Sequence, residues 1–167
     1  MKMKLTREDI RKIQEEIDFR KGAHRTELLE NLKTARAQGD LSENFEYTMA
    51  KRANNQNNSR VAYLERMIRT AEIIEDRAPD DVAGLNKAVT VFIPEDDETA
   101  VYKIVSSIRG DSTKGRISTD SPLGKALAGH RAGDVVTVRV NDFYSYECEI
   151  KNVVAVEDDG SDEIRQY

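Results

Sequence analysis

The sequence predicts an α+β protein in two parts. An N-terminal antiparallel α-helical coiled-coil hairpin precedes a C-terminal domain with a mostly antiparallel sheet and a short helix. Three observations carry this expectation. Apolar residues recur at helical spacing through two long stretches on either side of a glycine-containing turn. The periodicity ends after Ala71. Beyond it, runs rich in Val, Ile, Thr and Tyr alternate with Gly, Asp, Asn and Pro.

Upstream of the turn, Ile10, Ile13, Ile17, Leu28, Leu32 and Ala35 keep to steps of three, four or their sums, and downstream Ala50, Ala53, Val61, Leu64, Ile68 and Ala71 do likewise. A reversal near Asp40 sets Ile10 opposite Ile68 or Ala71, Ile13 opposite Ile68, Ile17 opposite Leu64, Leu28 opposite Ala53, and Leu32 opposite Ala50. The expected hairpin is about 45–50 Å long at roughly 1.5 Å per residue. Its seam turns polar at Arg20 and His24, with Asn57 expected across from His24. This reads as a layer that fixes register, since the pairing gives His24 no second metal ligand. Thr6 with Asp9 reads as an N-terminal capping box, and Gly39 suits the left-handed C′ position ending the first arm.

Charge is divided unevenly. Residues 1–76 carry 15 Lys/Arg against 14 Asp/Glu, while residues 77–167 carry 11 against 17, for an overall −5. That balance argues against a protein that coats DNA nonspecifically. A local basic stretch runs from Lys51 through Arg52, Arg60, Arg66 and Arg69 with only Glu65 opposing it. It reads as a solvated helix face or a local nucleic-acid or protein contact. No run approaches the roughly eighteen apolar residues of a membrane span, so a soluble, cytoplasmic protein is expected. Cys148 is alone, and its alternation with Tyr146 and Ile150 reads as a buried strand thiol.

The expected boundaries are a hairpin over 1–77, a linker over 78–86 marked by Ala78-Pro79-Asp80-Asp81, a sheet domain over 87–156 and an acidic tail over 157–167, frayed at 157–163. Strands are expected over Lys87–Ile93, Val101–Ser106, Gly115–Ser118, Val135–Val140 and Tyr144–Val156. Ser121-Pro122 looks like the N-cap and first residue of a short helix ending at Gly129.

The hairpin tip holds two carboxylates, Asp40 and Glu43. Asp40 as N-cap and Glu43 three residues on would form the Asp variant of a capping box for the second arm, with Ser42 as an alternative cap that frees Asp40. The run Gly39-Asp40-Leu41-Ser42-Glu43-Asn44-Phe45-Glu46-Tyr47, preceded by Ala35-Arg36 and followed by Ala50-Lys51, closely resembles the tip signature of the bacterial Gre transcript cleavage factors (GreA/GreB). A second stretch is also similar to that family: Ile117-Ser118, then Ser121-Pro122-Leu123-Gly124-Lys125-Ala126-Leu127-Ala128-Gly129, then Gly133-Asp134-Val135-Val136.

The resemblance covers nearly the whole chain, and its implications are specific. The C-terminal domain should have an FKBP-like fold that docks on bacterial RNA polymerase. The coiled coil should enter the polymerase's secondary channel and bring its acidic tip to the catalytic centre of a backtracked complex, where the extruded 3′ end of the nascent RNA is cleaved. On this reading the chain is not an enzyme but an accessory that restarts arrested elongation. Asp40 and Glu43 are then catalytic in trans, completing the ligands of a second Mg²⁺ in the polymerase active site. Arg36, Lys51 and Arg52 are candidates to contact RNA or channel acids. Gly39, Ser42, Asn44 and Tyr47 support the tip. Phe45 stands where the family more often has a small residue, and packing that stiffens the tip is expected of Phe45 and Tyr47, with stacking on RNA as the lesser alternative.

Two acids alone make a poor metal site, so the free protein, expected as a monomer, should have no cofactor and no nuclease activity of its own. Two segments depart from the family pattern: Val105–Asp111, which bears on docking, and the run Asn54–Asn58, where a locally soft coiled coil is expected. The alternative is a regulator that binds the channel without promoting cleavage. A third reading is an unrelated coiled-coil interaction protein whose sheet domain binds a peptide.

Overall fold

The computed structural model describes residues 2–39, 44–158 and 160–165. Contacts divide the chain into Ile10–Ala71 and a second unit that joins Met3–Asp9 to Glu72–Tyr167.

In the helical unit the first arm consists of α1 (Arg7–Lys21) and α2 (Ala23–Arg36), and the second is α3 (Phe45–Thr70). The sequence predicts one helix where the structure has two, because Gly22 leaves helical geometry. Its N–H still donates to the Asp18 carbonyl at 3.0 Å and its carbonyl accepts from Thr26 at 3.1 Å, so the backbone ladder closes on both sides. A β-carbon at position 22 would sit 3.0 Å from the Asp18 carbonyl oxygen, a contact only glycine avoids. The expected soft spot at Asn54–Asn58 lies inside an unbroken α3; the interruption falls on the other arm.

Ile13, Ile17, Leu28 and Ala35 are buried from the first arm, with Val61, Leu64 and Met67 from α3. The polar layer is larger than expected and differently paired. Glu16 accepts from Arg60 Nε at 2.9 Å and Nη2 at 3.3 Å, and from Arg20 Nε at 2.8 Å. Arg20 Nη1 donates to Asn57 Oδ1 at 3.1 Å, and Asn57 Nδ2 donates back to the Arg20 carbonyl at 3.0 Å. Asn57 therefore meets Arg20, one turn before the expected His24, through both its guanidinium and its main-chain carbonyl. His24 instead stacks on Phe19 with centroids 5.3 Å apart. Arg60, read from sequence as part of a surface basic stretch, is buried here. Burial pushes the Glu16 carboxyl up, but hydrogen bonds and charge from Arg60 and Arg20 outweigh it and hold Glu16 below the usual glutamate range.

The second unit is built on a sheet of β3 (Lys87–Ile93), β4 (Glu98–Val105), β5 (Arg116–Ser118), β6 (Val135–Arg139) and β7 (Ser145–Ala155) in the order β5-β4-β3-β7-β6. Only the short β4–β5 pair is parallel. The strand alternation puts Val89, Val91 and Ile93 on the buried face with Ile104, Val138, Cys148 and Ile150. Cys148 is the buried strand thiol the alternation predicts, and burial pushes its pKa up. β4 starts earlier than expected, at Glu98, because a turn through Asp97 (φ 51°) already pairs Glu98 with Ile93. The short helix α4 (Pro122–Leu127) has Ser121 as N-cap, its Oγ accepting from the Gly124 N–H at 3.0 Å, and Pro122 in the first turn.

Several features of this unit differ from the sequence reading. Lys4–Leu5 (β1) pairs in parallel with Glu72–Ile73 (β2), so the first residues belong with the sheet unit. The Thr6–Asp9 box is formed, with Thr6 N–H to Asp9 at 2.8 Å and Asp9 N–H to Thr6 Oγ1 at 3.0 Å. Within the expected linker, Val82 and Ala83 are buried, and Ala83 donates to the His130 carbonyl at 2.8 Å and accepts from Gly129 at 2.9 Å. The tail is not frayed over its described residues. Asp158 accepts from Arg109 at 2.6 Å, Asp162 from Lys103 at 2.7 Å and Arg116 at 3.3 Å, and Arg165 N–H donates to the Ile108 carbonyl at 2.6 Å. Counting acids in the tail missed the cations that face it. Arg109, in the turn Ser107–Arg109, also donates to Asp9; the two side chains are 3% and 0% exposed.

Replacing Arg109 with Ala leaves Asp9 buried without its cation, at a cost of about 3–5 kcal/mol. Amide exchange across β3 and β4 measures this, with Asp9→Asn in the Arg109→Ala background recovering part of the loss. Because the folded Glu16 pKa lies below its unfolded value, its stabilisation is complete above the glutamate range and is lost as pH falls through the folded pKa. Urea midpoints read from helical circular dichroism, taken from about pH 7 down to about pH 3, should show a steeper acid decline for the wild type than for Glu16→Gln.

Candidate functional site at the hairpin tip

The tip is framed by the ends of α2 and α3. At the first end, the Ala37 N–H donates to the Lys33 carbonyl and the Gln38 N–H to the Ala35 carbonyl, both at 3.2 Å. Gly39 follows with φ 128°, a backbone state that suits glycine. It lies two residues past the cap, Ala37, rather than next to it as the sequence reading has it.

Asn44 is the N-cap of α3. In extended conformation it accepts from the Tyr47 N–H at 3.0 Å, and its amide donates to the Ala35 carbonyl at 2.7 Å. One side chain thus starts the second arm and binds the end of the first. The expectation that Asp40 or Ser42 caps this helix is corrected: the cap comes later in the chain. Asp, Ser and Asn cap equally well, so residue type alone does not choose among them. The Asn44 amide also gives the Ala35 carbonyl a second donor beside the Gln38 N–H, which an aspartate at this position does not have. Asp40, Leu41, Ser42 and Glu43 lie outside the described residues.

Around this frame, the Arg36 guanidinium lies 5.6 Å from the centroid of the Tyr47 ring. A hydrogen bond from Arg36, with the charges of Arg36 and Lys51, outweighs slight burial and holds the Tyr47 phenol below the usual tyrosine range. Arg36, Tyr47 and Lys51 therefore form one group, Lys51 one turn along α3 from Tyr47. Arg52 is exposed and projects about 100° around the helix from Lys51. Tyr47 lies against Arg36, whereas the packing expected of Phe45 is not formed. Phe45 is 74% exposed, and Met49, one turn on, is also exposed.

The ends of the two arms that flank the loop carry a cationic, aromatic collar. Carboxylate oxygens suit Mg²⁺, and a guanidinium with an ammonium suits phosphate. Among the described residues no group of three or more His, Cys, Asp or Glu could hold a metal ion, and no helix is long and apolar enough to cross a membrane. The sequence reading marked Asn44 only as support; its identity as a strong cap former was the available signal for the larger role.

Asn44→Ala removes the cap and the second donor to the Ala35 carbonyl, lowering hairpin stability by about 1–2 kcal/mol. Asn44→Asp keeps the acceptor and loses the donor, so urea unfolding followed by helical circular dichroism should place it between Ala and wild type.

Residues 3–73 match the family model described as the N-terminal region of transcription elongation factors, and residues 78–155 match that of the GreA/GreB C-terminal region. Transcription elongation factor GreA of Geobacillus kaustophilus is 45% identical over 136 residues, which cover 81% of this chain and 86% of that protein. The GreA of Bacillus subtilis is 44% identical with the same coverage. Among solved structures, the GreA factor homolog 1 (Gfh1) protein of Thermus thermophilus is 24% identical with a TM-score of 0.42, covering 92% of this chain and 99% of that one. Two consecutive family matches spanning most of the sequence, with close relatives of nearly equal length, establish that the chain belongs to the GreA/GreB family of transcription elongation factors.

Proposed function

We propose that this chain binds bacterial RNA polymerase, inserts its hairpin into the secondary channel and stimulates cleavage of backtracked nascent RNA. The observation that carries this reading is the Asn44 frame. With the capping duty of α3 taken by Asn44, the helix start does not require Asp40 or Glu43.

In this mechanism the polymerase provides the active centre and its Mg²⁺. Cleaving a phosphodiester needs a second Mg²⁺ beside the first and a water aligned for in-line attack. Asp40 and Glu43 supply oxygen ligands for that ion, which keeps several of its waters and so needs few protein donors. Lys51 and the remaining donors of Arg36 face the phosphates of the extruded RNA end, while Tyr47 holds Arg36 in place. Phe45, exposed at the start of α3, is positioned to meet the RNA rather than the hairpin. The unusual Val105–Asp111 segment, on which the inhibitory alternative draws, has an internal use. It forms the turn that carries the buried Arg109.

The test is RNA cleavage in a stalled, backtracked bacterial elongation complex with Mg²⁺, at matched polymerase occupancy. Asp40→Ala and Glu43→Ala should each reduce the cleavage rate by at least about a hundredfold while leaving binding intact. Binding without cleavage by the wild type would make the chain a regulator that occupies the channel.

A further inference from the structure

The match to the family ends at residue 155, and the chain beyond it is used on one edge of the sheet unit. Lys103 on β4, Arg109 in the following turn and Arg116 on the edge strand β5 bring three cations together there. Asp158 meets Arg109 at 2.6 Å, and Asp162 meets Lys103 at 2.7 Å and Arg116 at 3.3 Å. Between these contacts and the chain end, the Arg165 N–H donates to the Ile108 carbonyl at 2.6 Å. The side chains of Lys103 and Arg116 are only 21% and 12% exposed with the tail in place. Arg109 keeps Asp9 and Arg116 keeps Asp111 at 3.9 Å without the tail, but Asp162 is the acid facing both Lys103 and Arg116. An open cleft of about 430 Å³, lined by Asp111, Ser112 and Arg116 as well as by Glu163 and Ile164, continues beside the tail. The depression is therefore larger than the segment that occupies it.

We propose that the segment carrying Asp158, Asp162 and Arg165 is a built-in ligand of a cationic groove, and that the groove docks an acidic peptide segment of a partner protein when the tail leaves. The tail displays the chemistry the groove accepts: two carboxylates four residues apart and a main-chain N–H. The N–H favours a peptide backbone over a phosphodiester backbone at this point. The Ile108 carbonyl needs a donor, and a phosphodiester would set oxygen against oxygen at that point. The acids of the tail also screen Lys103 and Arg116 from other anions, so docking there is conditional on release. This inference does not depend on the chemistry of the hairpin tip.

A labelled synthetic peptide with the sequence of residues 156–165 tests it, titrated by fluorescence anisotropy into the full chain and into its Asp162→Asn and Asp158→Asn/Asp162→Asn variants. A tethered tail competes at an effective concentration on the order of millimolar, so the peptide should bind the double variant at least about tenfold more tightly than wild type. Asp162→Asn alone, which keeps the Arg109–Asp158 pair, should fall between them and guards against a folding defect in the double variant. Adding Lys103→Gln to Asp162→Asn, or replacing the two peptide aspartates with asparagine, should abolish the gain. Equal binding to all forms, or binding to none, would overturn the proposal. So would an opened variant that prefers a single-stranded RNA oligonucleotide of equal charge to the peptide.

Discussion

Arg109 is the point at which three distant stretches of the sheet unit are made interdependent. Its guanidinium is buried, and it reaches Asp9 near the start of the chain and Asp158 near the end. Removing such an ion from water costs several kcal/mol, which only close, well-placed carboxylates offset. The turn Ser107–Arg109 and the Thr6–Asp9 box therefore form as a set on which the tail closes, and the β1–β2 pair is held beside that set by its own ladder. Lys87, fully buried against Asp76 at 2.8 Å, ties the segment entering the sheet in the same way. The apolar face of the sheet supplies most of the driving force, and these charged contacts decide which segments join it.

The helical unit solves a related problem with a weaker version of the same chemistry. Leucine and isoleucine seams tolerate sliding by a turn, because one apolar contact replaces another. The Glu16, Arg20, Asn57 and Arg60 group does not, since any slip leaves a half-buried charge or amide without its partner. Register at this layer and the Asn44 bond to Ala35 fix which residues stand at the turn. The tip chemistry thus rests on residues far from it in the chain.

Much of the fold was legible because it follows from periodicity. β3 runs from Lys87 to Ile93 as its alternation dictates, and Ser121-Pro122 starts α4 as cap and first residue. What escaped depended on a partner that local patterns do not reveal. Asn44 caps α3 and at the same time binds a carbonyl nine residues earlier. Asn57 pairs with the guanidinium and the carbonyl of Arg20 rather than with His24, and the acidic tail is ordered by cations on other strands. Phe45 looked like packing because aromatic residues usually are, and nothing in its neighbours announces that it faces solvent. At the tip, the collar of Arg36, Tyr47 and Lys51 was readable as a group of residue types, whereas the contact between Arg36 and the Tyr47 ring required coordinates.

The Asn44 clasp has an evolutionary corollary. Arm meets arm at this end through the Ala35 carbonyl and the Asn44 amide, groups that bracket the loop rather than belong to it. A frame closed outside its own insert behaves like a cartridge holder. Mutation can rewrite the acids between the two brackets while the helices keep their ends. Selection can then trade one chemistry for another, or for none, on an unchanged scaffold.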